Sequence, residues 1–505
     1  MDTTAEQIAI NSFKQALAKK DPALTHIQTH ISHVFLTNQR AYKIKKAVDF
    51  GFLNFSTLAR RCHFAELERK LNSRLAPGLY EEVFTIDHNG QRTDDPDQMV
   101  ECVIAMQRFA QDNQLDHFAA RNGLDDALVM EMAETIANFH THAEPAPNPE
   151  HYGSSETVWA PMAQNIEQIA PFLKEQADQD RLARLESQIT AAFESIKPII
   201  EQRQRSGFIR SCHGDMHLAN MAIKDDALLI FDGIEFNDDL RFIDTANDLA
   251  FVLMDLHKRR LIGPARLLLN HYLEKSGDYQ ALAVLPFYMA YRASVRAKIA
   301  LLTLRDDMSA AEIESSFAEH RAYMQLALEL LAPRQPRLFI TVGVSASGKS
   351  LASHELVLAR GAIRVRSDAE RQRMFIDKAV RYSQRATEQT YQRLQEIAKI
   401  GLNAGFEMTM DATFLKRSYR EPFMHLAQSL NVPMHILFME CDAEQVRRFM
   451  RERNAQGRDI SEADEQVLES QLQQLEGLTP EEAKNAFRLK CDAPLGAQIS
   501  QLPLD

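Results

Sequence analysis

No stretch of the 505-residue chain approaches the ~20 consecutive apolar residues that a bilayer-spanning helix needs. The start, Met1-Asp-Thr-Thr-Ala-Glu-Gln, has neither the basic opening nor the apolar core of a signal peptide. There is no excess of positive charge. The formal net charge is −12, which argues against a protein that coats nucleic acid or an anionic membrane, since both need a basic surface. Cysteine is sparse: Cys62, Cys102, Cys212, Cys441 and Cys491 form no C-x-x-C pair, and their number is odd. Free thiols in a reducing, cytoplasmic setting are the simplest expectation. Internal repeats and low-complexity tracts are also missing.

What is there is ordinary for a globular chain: 45% hydrophobic and 25% charged residues. The length exceeds one hydrophobic core, so two or three domains are expected. Residues 1–20 read as an amphipathic helix with Ile8, Phe13 and Leu17 near helical spacing. Val34–Leu36 and Ala41–Lys45 read as a β-hairpin, and 58–75 as a helix ended by Pro77-Gly78. Glu101–Phe109 resembles a strand. Helical patterns cover 125–141 and 158–205, short strands 209–232, and helices again 245–331. Pro333-Arg334-Gln335-Pro336 is the expected boundary, crossed by few contacts, because proline disfavours helix on both sides. After it the pattern becomes strand–loop–helix alternation, as in an open parallel sheet. The expected units are 1–332, a linker at 333–336, and 337–505.

Two segments carry chemistry. The first reads His213-Gly214-Asp215-Met216-His217-Leu218-Ala219-Asn220, then an apolar run into Asp232. Phosphoryl transfer from ATP needs a carboxylate at the acceptor hydroxyl, and a second carboxylate with an amide oxygen for Mg²⁺. Asp215, Asp232 and Asn220 fill those roles in that order, and the Asp215-to-Asn220 spacing equals that of H-R-D-x-x-x-x-N. Such a site also needs a strand lysine for the α/β-phosphates, braced by a helix glutamate. Lys43 in Arg40-Ala-Tyr-Lys fits best, with Lys45 on the same strand face in reserve. Glu68 or Glu66 is the partner. Glu235 is a weaker metal candidate. His217, Asp244 and Asp248 read as structural.

The second segment is an apolar strand, Leu338-Phe-Ile-Thr-Val, running into Gly343-Val-Ser345-Ala346-Ser347-Gly348-Lys349-Ser350 and a helix. This is G-x-x-x-x-G-K-S in its required context. The glycines let backbone N–H groups wrap a phosphate, and the helix N-terminus adds a positive dipole end. Lys349 is expected on the β/γ oxygens and Ser350 on Mg²⁺. Asp368 is placed to act on an acceptor hydroxyl or to cap the next helix, and Arg371 to clamp an anionic group. Asp411 is expected to support Mg²⁺. Thr413 and Arg417–Arg420 are candidates for an acceptor pocket. Of Arg447, Arg448, Arg451, Arg453 and Arg458, one or two are expected to close over the phosphates, with Arg453 favoured.

Residues 30–256 resemble the aminoglycoside-phosphotransferase-like kinases, through Tyr42-Lys-Ile-Lys-Lys, Asp49-Phe-Gly-Phe-Leu, His213-Gly-Asp-Met-His-Leu-Ala-Asn, Phe231-Asp-Gly-Ile-Glu-Phe and Asp248-Leu-Ala-Phe. No G-x-G-x-x-G loop precedes Lys43. Residues 337–480 resemble P-loop kinases of the gluconate-kinase and polynucleotide-kinase type, through G-x-x-x-x-G-K-S, Arg366-Ser-Asp-x-x-Arg371 and Asp411-Ala-Thr-Phe. The whole chain resembles bacterial two-domain proteins that fuse the two. The resemblance implies an α+β bilobal kinase-like domain followed by an α/β P-loop domain with a parallel sheet. It implies ATP and Mg²⁺ as cofactors, and a small-molecule or polynucleotide-end hydroxyl as acceptor. The competing expectations are a regulatory protein in which one ATP-binding domain gates the other, and a toxin-like P-loop kinase held in check by the N-terminal half.

Overall fold

The computed structural model describes residues 5–51, 53–456 and 465–503; for 453–456 and 465 only the backbone is described. Helix α1 (Ala5–Lys20) covers an antiparallel sheet of β1 (Thr25–Gln28), β2 (Ser32–Leu36), β3 (Arg40–Lys45), β4 (Tyr80–Ile86) and β5 (Glu101–Gln107), in the order β1-β2-β3-β5-β4. The helix buries Ala9, Ile10, Phe13 and Leu17, and Phe13 meets Phe35, Tyr42 and Phe84 edge-on. Ile8, expected on this face, is exposed. At 100° per residue it lies roughly opposite Ile10. Helix α2 (Leu58–Asn72) packs on β4 and β5, its first turn capped by the Thr57 side chain. The expected hairpin is β2–β3; β1 and β4 escaped the sequence reading.

The helical part follows, with α3 (Leu115–Asn122), α4 (Asp126–His142), α5 (Ser155–Ile169) and α6 (Gln176–Arg205). The single helical pattern expected over 158–205 is thus two helices, broken near Pro171. The short strands β6 (Ile209–Ser211), β7 (Met221–Lys224), β8 (Ala227–Ile230) and β9 (Phe242–Asp244) pair as β6–β9 and β7–β8, with α7 (Asp238–Arg241) between the last two. Helices α8 (Thr245–Lys258), α9 (Ile262–Ser276), α10 (Ala281–Leu302) and α11 (Ala310–Leu330) complete this half. Arg203 is fully buried between Asp244 and Asp278, with both nitrogens of each fork paired at 2.7–2.8 Å. Removing Arg203 would leave two buried carboxylates without their counter-charge.

The C-terminal half is a parallel sheet. Its strands are β10 (Leu338–Val342), β11 (Ile363–Arg366), β12 (Met408–Asp411), β13 (Met434–Glu440) and β14 (Ala486–Lys490), in the order β11-β12-β10-β13-β14. Helices α12 (Lys349–Arg360), α13 (Ser367–Met374), α14 (Gln384–Asn403), α15 (Arg417–Ser429), α16 (Ala443–Gln456), α17 (Glu465–Gln474), α18 (Pro480–Lys484) and α19 (Leu495–Ser500) surround it. β10 is central and all five of its residues are buried, as expected for a strand covered on both faces.

Two expectations fail. The cysteines are not all free: Cys62 pairs with Cys102 and Cys441 with Cys491, leaving Cys212 free and buried. The partners stand 40 and 50 residues apart in sequence, and only the packing of α2 on β5 and the β13–β14 register bring them together. The cysteines therefore give no support to a reducing compartment. Nor are contacts few across 333–336. One apolar cluster runs from Leu328 and Leu330 into Leu338, Ile340, Ile363 and Val365. Arg266 on α9 donates to the Leu358 carbonyl at 2.6 Å. Asn270 on α9 meets the edge strand β11 twice: its amide donates to the Ala362 carbonyl (3.2 Å), and its oxygen accepts from the Arg364 N–H (2.7 Å). The edge is thus closed by a side chain rather than by another strand.

Asn270→Ala strands one buried donor and one buried acceptor on β11. A loss of about 1–3 kcal/mol in the stability of the C-terminal half is expected from urea denaturation; an unchanged midpoint would contradict the role given to this clasp.

Candidate active sites

In the N-terminal half, strand alternation puts Lys43 and Lys45 on one face of β3, opposite α2. Glu68 on α2 is fully buried and meets both: Lys43 Nζ at 2.9 Å and Lys45 Nζ at 2.6 Å. Glu66, the alternative, is exposed and pairs with Arg69. Lys43 also donates to Asp232 Oδ1 at 2.6 Å, while Lys45 pairs with Glu235. Of the two lysines it is Lys43 that reaches Asp232. Glu235, considered a metal candidate, is instead a buried partner of Lys45. Burial acts to raise the Glu68 pKa, but Lys43 and Lys45 outweigh it and hold Glu68 down at about 2. Burial pushes Glu235 up. The same burial would discharge Lys43, yet Asp232 and Glu68 keep it well above the usual lysine range.

The loop carrying Asp215 hangs from one carboxylate. Asp248 on α8 accepts the N–H groups of His213 and Gly214, both at 2.9 Å, and meets His140 Nε2 at 3.2 Å. His140 Nδ1 in turn meets the Tyr272 hydroxyl at 2.9 Å. Gly214 has φ +84°, and a Cβ there would lie 2.7 Å from the Leu240 carbonyl, so the tight turn admits only glycine. The sequence reading of Asp248 as structural is what the geometry shows; His140 and Tyr272, far apart in sequence, gave no signal. Asp215 is half-buried. Against burial, His217 at 3.5 Å and His213 hold its carboxyl well below the usual range. Asn220 donates its amide N–H to Asp215 Oδ2 at 3.0 Å and to the Asp215 carbonyl at 2.9 Å, leaving its amide oxygen as the donor for a cation. Asp232 sits two residues beyond β8 with φ +61°, a left-handed conformation that aspartate tolerates. The Phe231 N–H bonds the Asn220 carbonyl at 2.9 Å, which holds the two segments together.

In the C-terminal half, the Gly343–Ser350 loop links β10 to α12, and Gly348 (φ +89°) occupies the N-cap of α12. Lys349 Nζ donates to the Val344 carbonyl at 2.6 Å, inside the loop. A cavity of about 1190 Å³ joins this loop to the ends of β11 and β12. Ser345, Ala346, Gly348, Lys349, Ser350 and Asp411 line it at one end. Asp368, Arg371, Thr413 and Tyr419 line it as well. Ser350 and Asp411 therefore share one cavity, a donor set of hydroxyl and carboxylate that suits Mg²⁺. Asp411 also accepts from Ser353 Oγ at 3.2 Å. Asp368 does not occupy the cap of α13; that position is Arg366, with no side-chain cap bond. Arg371 is buried, bonds the Arg381 carbonyl and Thr387 Oγ1, and its Nε has no hydrogen-bond partner among the described residues.

Other expectations divide. Arg420 leaves the pocket group: it is fully buried and paired to Glu482 at 2.7 Å. Arg447 pairs with Glu469 on α17. Arg453 lies on α16 with its side chain outside the described residues, and Arg458 lies outside them altogether. Sequence reasoning missed Gln471 on α17, whose side-chain oxygen accepts the Ser345 N–H at 2.7 Å in the loop itself.

Residues 82–285 match the family described as "Phosphotransferase enzyme family", and residues 338–478 the family described as "AAA domain". The chain joins a phosphotransferase-like domain to a P-loop, AAA-like domain. The phosphotransferase match spans Asp215, Asn220, Asp232 and Asp248 but begins after Lys43 and Glu68; the P-loop match spans Lys349, Asp368 and Asp411. Both domains have nucleotide-handling folds, and the first is a phosphotransferase enzyme fold. Uncharacterised proteins of Mycobacterium tuberculosis and Mycobacterium bovis are 25% identical over 407 residues, covering 78% of this chain and 79% of theirs. Among solved structures, a choline/ethanolamine kinase family protein from Mesorhizobium loti covers 64% of the chain and 99% of its own length, at 14% identity and a TM-score of 0.37. A sugar kinase from Janibacter covers 33% of the chain and 91% of its own, at 23% identity and a TM-score of 0.27. Among the described residues, no helix is long and apolar enough to cross a membrane.

The Asp248 carboxyl is buried, but the His140 contact and the neighbouring His213, with its backbone N–H, hold it at about 2. Its folded pKa lies below the unfolded one, so its contribution is complete above the unfolded value near 4 and is lost as pH falls through about 2. The shift corresponds to about 2 kcal/mol at neutral pH. Denaturation of wild type and Asp248→Asn should show a stability gap at pH 7 that narrows by about half by pH 3; a gap constant over that range would contradict the assignment.

Proposed function

We propose that the chain is an ATP-dependent phosphotransferase with two nucleotide sites, each moving the γ-phosphate to a hydroxyl acceptor and each using Mg²⁺. The observation that carries the reading is the position of Lys43, which bonds both the helix glutamate Glu68 and the cleft aspartate Asp232. Phosphoryl transfer asks the protein for position and charge rather than for covalent chemistry. Lys43, aimed by Glu68, faces the α/β-phosphates. Asn220 and Asp232 would hold Mg²⁺, which would neutralise developing charge on the phosphates. A carboxylate held as low as that of Asp215 is a weak proton sink, so its first service is to orient the acceptor hydroxyl. In the second domain the loop from Gly343 through Ser345, Ala346, Ser347 and Gly348 to Lys349 would wrap the phosphates; in this structure the Ser345 N–H is held by Gln471 and the Gly343 N–H by the Thr413 carbonyl. Ser350 and Asp411 support Mg²⁺, and Asp368 faces the acceptor. Arg453, whose side chain lies outside the described residues, would close over the phosphates. Residues 1–332 and 337–505 are the two catalytic units.

The acceptors are small molecules or polynucleotide 5′-ends; a net charge of −12 weighs against binding nucleic acid in bulk. The regulatory reading, in which one domain controls turnover in the other, is favoured by one observation, the clasp of α9 on β11.

Lys349→Ala should lower P-loop turnover of ATP by about 10²-fold or more, because it removes charge that stabilises the transferring group. Steady-state release of ADP in an Asp215→Asn background measures this, and unchanged turnover would remove Lys349 from the mechanism.

In a Lys349→Ala background the two N-terminal aspartates should separate. Asp215→Asn should keep Mg²⁺-dependent binding of a non-hydrolysable ATP analogue and lose transfer. Asp232→Asn should weaken the binding itself. Equal loss of binding in both would make Asp215 a metal ligand or a structural group.

A further inference from the structure

Strand β11 reads Ile363-Arg364-Val365-Arg366. Ile363 and Val365 are buried in the sheet, and alternation turns both arginines to the opposite face. That face meets α9 of the other domain. Asn270 and Glu274 on α9 are four residues apart, a rise of about 6 Å. Two residues of β11 span about 6.6 Å. The helix therefore runs in step with the strand: Asn270 clasps the backbone at Ala362 and Arg364, and one turn on Glu274 faces Arg364 (3.5 Å) and Arg366 (3.7 Å). Arg373 of α13 donates to the Glu274 carbonyl, fixing the end of α9 against the P-loop domain. Arg366 lines the P-loop cavity, and its Nε lies 3.9 Å from Asp411 Oδ2. One guanidinium thus stands between a carboxylate of the phosphotransferase domain and the cavity carboxylate of the P-loop domain.

We infer that Glu274 is a positioning residue of the P-loop site: it draws Arg366 away from Asp411, so that the Asp411 carboxylate keeps its charge for Mg²⁺. The inference rests on the reading of Asp411 as a Mg²⁺-supporting group. Without the Glu274 charge, Asp411 receives a larger share of the guanidinium, and a cation that already neutralises Asp411 competes with the metal. The site in one domain is in this sense finished by a side chain of the other, which no motif in either half announces.

The test reads how much Mg²⁺ strengthens nucleotide binding. It uses the full-length chain carrying Asp232→Asn, which silences Mg²⁺-dependent binding at the N-terminal site. The affinity for a non-hydrolysable ATP analogue is measured by calorimetry with Mg²⁺ and with EDTA, and the ratio is the Mg²⁺ gain. Glu274→Gln should cut that gain roughly two- to fivefold, the scale of one lost ion pair, and Glu274→Asp should restore part of it. Asn270→Ala, which loosens the clasp without touching the charge, should lower the melting temperature and leave the gain unchanged. A full gain in Glu274→Gln beside a lost gain in Asp411→Asn would overturn the inference alone. A full gain in Asp411→Asn would overturn the reading of Asp411 and the inference with it. A gain that falls as much in Asn270→Ala as in Glu274→Gln would make Glu274 merely structural.

Discussion

Helix α9 is the constraint that ties the molecule together. Its Tyr272 hydroxyl meets His140, which meets Asp248, which holds the backbone of His213 and Gly214. Its Asn270 closes the edge of the parallel sheet, and its Glu274 faces the arginines of β11. A single rigid element therefore supports the loop that presents Asp215 and the strand that ends at the P-loop cavity. The apolar cluster running from α11 into β10 and β11 removes the freedom that a proline-rich linker would otherwise allow.

The two sites solve the same electrostatic problem by different means. The N-terminal site uses side chains: a half-buried and a buried lysine, Lys43 and Lys45, face Glu68, Glu235 and Asp232, and each lysine stays charged because carboxylates offset its desolvation. The P-loop site relies on backbone. Its cradle of N–H groups and the end of α12 carry partial positive charge that needs no counter-ion, and Lys349 is the one full charge within the loop. This difference decides which residues matter. In the first site a single carboxylate exchanged for an amide changes the charge balance. In the second, loop conformation at Gly348 and Ala346 (φ +62°) matters as much as the charged groups.

What was legible in the sequence follows the same division. Local patterns were readable: the β2–β3 hairpin, the His213–Asn220 loop, the strand–loop–helix at Gly343 and the parallel sheet after it. Each depends on residues adjacent in the chain, where periodicity and turn chemistry speak directly. Contacts between distant segments were not. The pairing of Lys45 with Glu235, the disulfides, and the burial of Arg420 against Glu482 all depend on tertiary packing that alternation alone does not reveal. The Ile-Arg-Val-Arg alternation of β11 was a readable hint of a charged face, but its partner lay some ninety residues upstream in another domain. Asp368 shows the limit of cap signals: it stands one residue into the helix it was weighed as capping.

The central claim is that one chain carries two working nucleotide sites. The stoichiometry of the wild-type protein tests it most directly. Titration of the intact chain with a non-hydrolysable ATP analogue and Mg²⁺ should saturate at two equivalents per chain. Saturation at one equivalent would contradict the account, because it would leave one of the two sites with a kinase fold and no nucleotide to act on.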